Sequence, residues 1–185
     1  VQPSISYLGF NMLDPVVGKG DTPQQQEKNR KLRQAIAIAI DYEEGYGRIF
    51  KQKGGDAAGA VEDFLRVAQV AGTSKIASQA EYDAGAQLIN LKDWPRAITV
   101  LERFRSINPK SEFAADVTRK LAVAYSETGQ AGQAAVEFER IAMNPAESKD
   151  VQREANLTAA DLYTKAGNTT KSVAMLERFV VTYPT

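Results

Sequence analysis

The chain has 185 residues, with 23 basic and 23 acidic side chains and neither cysteine nor histidine. A formal charge of zero supplies no field to draw nucleic acid or an anionic membrane surface. The two missing residue types exclude disulfides, thiol nucleophiles, imidazole acid–base chemistry and most zinc or iron sites. A hydrophobic share of 43% and a charged share of 25% are those of an ordinary globular protein of one domain, or of a small domain with an appendage. The longest apolar run, Ala35 to Ile40, is six residues, where a membrane span needs about 20. No direct membrane insertion is therefore expected. The absence of cysteine leaves the compartment open.

Residues 1–22 read as an extended segment. Tyr7-Leu8-Gly9-Phe10-Asn11-Met12 forms a short strand, and Asp14-Pro15 with Gly18, Gly20 and Asp21 is turn chemistry. Gly18-Lys19-Gly20-Asp21-Thr22 lacks the glycine spacing and the lysine–serine/threonine ending of a phosphate loop, so it reads as a solvated turn. The start at Val1 rather than methionine is read as a processed product or an excised fragment.

A helix starts at Thr22-Pro23-Gln24-Gln25. Threonine can cap, proline suits the first helical position, and Gln25 sits where a capping box places a glutamine. Leu32, Ala35, Ile36, Ala39 and Ile40 follow at helical spacing, with Glu27, Lys28, Arg30 and Lys31 as a solvated face. Arg33-Gln34-Ala35, Ala39-Ile40-Asp41 and Glu43-Glu44, with the strand before them, resemble a segment of the periplasmic peptide- and solute-binding proteins of ABC importers. The resemblance covers about residues 5–50, too little to build a two-lobed cleft, and no ligand-binding residue is carried over.

From about Gly47 the chain becomes periodic. Leu101-Glu102-Arg103-Phe104, followed by Pro109, returns as Leu176-Glu177-Arg178-Phe179, followed by Pro184. Between them stands Phe138-Glu139-Arg140-Ile141 with Pro145, and a looser copy, Phe64-Leu65-Arg66-Val67, lies upstream. Successive copies are 37, 37 and 38 residues apart. A period in this range is that of stacked helical pairs.

Within each period, small residues stand where paired helices cross: Gly85 and Ala97, then Ala122 and Ala134, then Ala160 and Ser172. Large apolar residues flank them (Leu88, Trp94, Leu101 and Phe104; then Leu121, Tyr125, Phe138 and Ile141; then Tyr163, Leu176 and Phe179), with Gly129 and Gly167 in the turns. Helix axes approach to about 8–10 Å only where small side chains face one another, and glycine supplies the left-handed residue that ends a helix. These residues resemble tetratricopeptide repeats, whose usual period is about 34 residues. The surplus falls in Gly72 to Lys75, Asn108 to Glu112 and Ala146 to Asp150.

The expected fold is all-α: a tetratricopeptide-repeat-like α-solenoid of antiparallel helix pairs, at about 45–72, 76–109, 113–145 and 151–184, behind an N-terminal extended segment and helix. Residues 1–50 are not expected to be an independent domain. The first pair is the imperfect one, with its opening helix drawn from the importer-like stretch and a Gly54-Gly55 turn. The junction of the two resemblances falls within 45–58, and such a join reads as a chimera or as a chain whose sequence was assembled from more than one source.

The resemblance to tetratricopeptide repeats implies a non-catalytic protein–protein interaction scaffold, with first helices lining a concave face that holds a peptide or a partner's helix. The outward residues there are Gln79, Tyr82, Ile89 and Asn90, then Asp116, Arg119, Ser126 and Glu127, then Asp161, Thr164 and Lys165. Tyr82 and Ala86 stand where repeats that clamp a C-terminal carboxylate carry lysine and asparagine, so that activity is not expected. Trp94 is assigned to the core, the Glu-Arg pairs to exposed faces of second helices, and the Asn156 and Asn168 sequons to chance.

No nucleophile–base pair, metal cluster or cofactor loop is visible, so no enzyme, no metal and no cofactor are expected, and the partner is a protein or peptide rather than nucleic acid. The alternative is a fragment or component of a periplasmic solute-binding protein. Both resemblances imply a periplasmic or envelope location. The last second helix has no polar cap after it within the sequence, so a longer parent chain or self-association through that end is expected.

Overall fold

The computed structural model describes residues 19–31, 57–72 and 74–183. The strand expected at 7–12, the Gly54-Gly55 turn and most of the importer-like stretch lie outside them. Residues 23–31 are helical (α1). Seven further helices follow: α2 Ala57–Ala71, α3 Lys75–Asn90, α4 Trp94–Ile107, α5 Ala114–Glu127, α6 Ala131–Met143, α7 Lys149–Lys165 and α8 Thr169–Thr182. Among the described residues there is no strand, and the expected all-α class of antiparallel helix pairs is the one adopted. The chain divides into two compact units, Val1–Ala80 and Glu81–Thr185, the boundary falling inside α3.

In the first unit, α1 begins as its sequence requires. The Thr22 hydroxyl accepts from the Gln25 amide at 3.2 Å and the Thr22 carbonyl from the Gln26 amide at 2.8 Å. Glu27 pairs with Arg30 at 2.8 Å on the exposed side. Helix α2 buries Ala60, Val61, Phe64, Val67 and Ala68, the single stripe that a spacing of three and four residues produces. Val67 and Ala68 pack with Ala80 of α3. Gly72 follows α2 with φ +65°, and the Ser74 hydroxyl caps α3 by accepting from the Ala77 amide at 3.1 Å.

The second unit repeats one hairpin three times: α3 with α4, α5 with α6, and α7 with α8. Each loop has three residues, 91–93, 128–130 and 166–168, and all three close alike. The last loop residue donates its amide to a carbonyl five positions back, Asp93 to Leu88, Gln130 to Tyr125 and Asn168 to Tyr163, at 2.8–3.0 Å. The residue before it donates three positions back, Lys92 to Ile89, Gly129 to Ser126 and Gly167 to Thr164. This is the Schellman closure, which requires a left-handed residue. Gly129 and Gly167 have φ +71° and +74°, and Lys92 takes the same conformation at φ +59°. The residue that ends one helix also starts the next: Asp93 and Asn168 accept from the Arg96 and Lys171 amides.

The core of this unit runs both within hairpins and between them. Leu101 and Phe104 of α4 pack with Val117, Leu121 and Tyr125 of α5 and with Ala134 of α6. The next cluster joins Ala122 of α5 and Ala135, Ile141 and Ala142 of α6 to Ala155, Ala159, Ala160 and Tyr163 of α7 and Met175 of α8. Ala122 and Ala134, expected to face one another, are both buried but belong to neighbouring clusters. Ala134 meets the Leu121 side and Ala135 the Ala122 side. Trp94, expected in the core, is half-buried as the first residue of α4. Each buried leucine or phenylalanine in these clusters contributes about 1.5–3 kcal/mol by leaving water.

Gly85 carries the tightest approach. A Cβ placed there would lie 2.4 Å from Leu101 Cδ2 and 2.8 Å from its Cγ, and Leu101 is fully buried, so it cannot step aside. Gly132, near the start of α6, has only Ala166 Cβ near, at 3.8 Å. The two glycines should therefore respond in opposite directions to one methyl group. Gly85→Ala is expected to destabilise by about 1–2 kcal/mol, overpacking outweighing the gain in helix propensity. Gly132→Ala should stabilise by about 0.5–1 kcal/mol. Urea unfolding of both variants measures this, and a stabilising Gly85→Ala would remove the close approach from the account.

Candidate partner-binding surface

Helices α3, α5 and α7 are the first members of their hairpins, and the eleven residues expected to face a partner lie on them. Tyr82 and Asp116 are brought together. The Tyr82 hydroxyl donates to Asp116 Oδ2 at 2.7 Å, and the Tyr82 ring stacks on Phe113 at 4.2 Å between centroids. Asp116 also pairs with Lys120 at 2.9 Å and lies 3.8 Å from Arg119. Arg119 reaches Glu147, in the α6–α7 connection, at 2.7 Å. A network of hydrogen bonds and ion pairs thus runs from α3 across α5 to that connection.

The remaining predicted residues behave differently. Ile89 is half-buried against the Leu101–Phe104 cluster. Asn90 is exposed and donates to Gln87. Ser126 and Thr164 turn their hydroxyls back onto their own helices, to the Ala122 and Ala160 carbonyls. Thr164 also meets Ser172 of α8 at 2.8 Å. Glu127 is exposed, Asp161 and Lys165 form an exposed pair at 2.7 Å, and Gln79 is half-buried in the first unit's part of α3.

Two residues of the same surface escaped the sequence reading. Val123 and Leu157 are 44% and 42% exposed. At the repeat step, Leu157 stands where Tyr82 and Arg119 stand, and Val123 where Ala86 and Asp161 stand. Stepping each predicted position through the period would have found them. Beside the surface, an open recess of about 550 Å³ lies between the start of α5, the end of α6 and the α6–α7 connection, with Ile141 and Met143 among its apolar lining and Glu112, Arg140 and Glu147 among its charges.

The Glu-Arg pairs lie largely on exposed faces, as read, but the glutamates of two of them are engaged by the next hairpin. Tyr125 of α5 donates to Glu102 of α4, and Tyr163 of α7 donates to Glu139 of α6. Lys171 of α8 joins the second contact at 3.2 Å from Glu139 and 3.0 Å from the Tyr163 hydroxyl. Burial, then the carboxylate beside each, raises both phenols above the ordinary tyrosine value. Arg103 meets the buried Glu81 at 3.0 Å, and burial outweighs that cation to hold the Glu81 carboxyl above its ordinary value. Arg105 grips both oxygens of the buried Glu137 at 2.7 Å. Of the two sequons, Asn156 is buried and Asn168 caps α8. Among the described residues no acidic cluster could hold a metal ion, and no helix is long and apolar enough to cross a membrane.

Asp116 gives this surface a pH signature. Partial burial would raise its carboxyl, but hydrogen bonds from Lys120 and Tyr82 and the charges of Lys120 and Arg119 bring it below the ordinary value. A carboxylate depressed by folding stabilises the protein above its unfolded pKa, and that contribution is lost as pH falls through the folded one. Asp116→Asn should therefore cost about 0.5–1 kcal/mol at pH 7, a small figure because the group is partly solvated. The gap to the parent protein should close as pH falls below the ordinary aspartate range. Thermal melts across that range check it, and a gap independent of pH would mean that the ionised carboxylate is not responsible.

Residues 79–111 and 154–185 match the family model described as Tetratricopeptide repeat, which corresponds to α3 with α4 and to α7 with α8. No curated protein and no solved structure matches the chain. The first and third of the three hairpins are thus similar in sequence to tetratricopeptide repeats, and the hairpin between them has the same closure and packing.

Proposed function

We propose that the chain is a non-catalytic scaffold that binds an extended peptide or a partner's helix along the first helices of its hairpins. Repeats of the matched kind point to a protein partner, and the surface gives that partner a chemistry. The observation that carries the reading is the pairing of exposed apolar residues, Val123 and Leu157, with a network of fixed charges at Asp116, Arg119 and Lys120. Apolar anchors supply affinity, while surrounding charges select orientation and partner. The ligand that fits is an amphipathic segment with two apolar side chains and both signs of charge. Its apolar side chains would cover Val123 and Leu157, with an acidic group placed toward Arg119.

Site-specific photo-crosslinking in the native source tests this. Probes at Asn90, Ser126 and Asp161 on first helices should capture one common protein, and probes at Thr99 and Gln133 on second helices should not. Leu157→Glu and Arg119→Glu should each reduce capture about tenfold or more while leaving the helical circular dichroism spectrum unchanged, since both side chains are exposed. Equal capture from both sets of positions, or capture indifferent to both variants, would overturn the proposal.

A further inference from the structure

The three hairpins differ at one polar position. Glu81, Thr118 and Asn156 are equivalent on the first helices, and Arg103, Arg140 and Arg178 on the second, followed by Phe104, Ile141 and Phe179. In the first hairpin Glu81 is buried, Arg103 meets its carboxylate at 3.0 Å, and Phe104 is fully buried. In the third, Asn156 is buried. The second hairpin has neither the acid nor the ring. Its Thr118 hydroxyl turns back to the Ala114 carbonyl at 2.9 Å and carries no charge to offer Arg140. Isoleucine at 141 leaves out part of the volume that phenylalanine fills at 104.

The open recess of about 550 Å³ lies at these residues. Thr118, Arg140 and Ile141 line it, together with Ala115 and Met143. The Arg140 side chain is 53% exposed and stands 3.9 Å from Glu137, whose two oxygens are both taken by Arg105 at 2.7 Å. A guanidinium that shares an occupied carboxylate at such a distance gains from a carboxylate of its own, which it can meet with two parallel hydrogen bonds. The two acids of the lining do not fill that place. Glu147 is held by Arg119 at 2.7 Å, and Glu112 is exposed at the start of α5, where solvent screens it.

We propose that this recess docks an acidic side chain and an adjoining aromatic side chain of a partner protein. The carboxylate would take toward Arg140 the part that Glu81 takes toward Arg103, and the ring would lie over Ala115, Ile141 and Met143. The first hairpin thus supplies, within the same chain, the charge complement that the second lacks. A recess this open leaves much of a free small acid in water, whereas small-molecule sites enclose most of their ligand. A protein segment brings its own cover. Val123 and Leu157 are not in the lining, so this docking and the first-helix surface can each stand without the other.

The test titrates the full chain with a capped peptide, acetyl-Gly-Glu-Phe-Gly-amide, and follows the backbone amides by NMR. Shifts should centre on Ala115, Thr118 and Asn144, with a dissociation constant of about 1 mM or below. Arg140→Gln, or glutamine for the peptide's glutamate, should each weaken binding about three- to fivefold, and the two together no more than either alone. Arg140 is exposed, so its variant should keep the parent's circular dichroism spectrum. Thr118→Glu supplies the first hairpin's carboxylate within the chain and should compete with the peptide, weakening it by at least as much. No shift at about 10 mM peptide, additive losses at Arg140 and the peptide's glutamate, or binding indifferent to Thr118→Glu would overturn the proposal. So would phenylpropanoate binding as tightly as the peptide, since the recess would then serve a free acid. A dimer in light scattering that Arg140→Gln abolished would also overturn it, since a second copy would then fill the recess.

Discussion

A helical hairpin buries one side of itself only against another hairpin, and the second unit of this protein is arranged by that constraint. Two antiparallel helices of 13–17 residues share too little interface to enclose large side chains on their own, so the apolar face of each pair needs the next one. The two clusters here follow that rule, since each takes residues from consecutive hairpins. Leu101 and Leu176 occupy the same position of the same motif, yet one is fully buried and the other is 45% exposed. Leu101 is packed among residues of the next hairpin, and its greater burial comes from there.

Burial alone would allow the hairpins to slide, because apolar contact has little direction. Two polar devices remove that freedom. The repeated Schellman closure fixes the phase of each helix end at one residue, and the same loop residue starts the following helix, so each hairpin turns in three residues. The tyrosine–glutamate contacts then tie the first helix of one hairpin to the second helix of the hairpin before it. The tyrosine lies at the position whose carbonyl the loop closure engages. Turn geometry and inter-hairpin register are thus set by one stretch of chain.

Much of the fold could be read from the sequence because its determinants are local. Gly129 and Gly167 announce left-handed turns, Thr22 announces a helix start, and alanine at a fixed step announces close-packed helices. Lys92 was not legible, since lysine carries no signal for a left-handed conformation and its loop closure forces it there. The role of Glu102 and Glu139 was hidden because an acidic residue on a second helix ordinarily faces water. The clue was a tyrosine 23 or 24 residues further on, Tyr125 or Tyr163, meaningful only once the stacking was known. On the candidate surface, Tyr82, Asp116 and Arg119 met as neighbours. Thr164 and Ser126 did not present free hydroxyls, because each bonds a carbonyl of its own helix. The Arg119–Glu147 pair joins a helix to a connection outside the repeated pattern, which periodicity cannot foresee.

The central claim is that neighbouring hairpins are locked in one register by a hydrogen bond from a tyrosine to the glutamate of the repeated motif. A double-mutant cycle on Tyr125→Phe and Glu102→Ala, read by urea unfolding of the full chain, measures that bond directly. Each single change should cost about 1–2 kcal/mol, and the pair about 1 kcal/mol less than their sum. Additive losses, with a coupling within about 0.3 kcal/mol of zero, would contradict it.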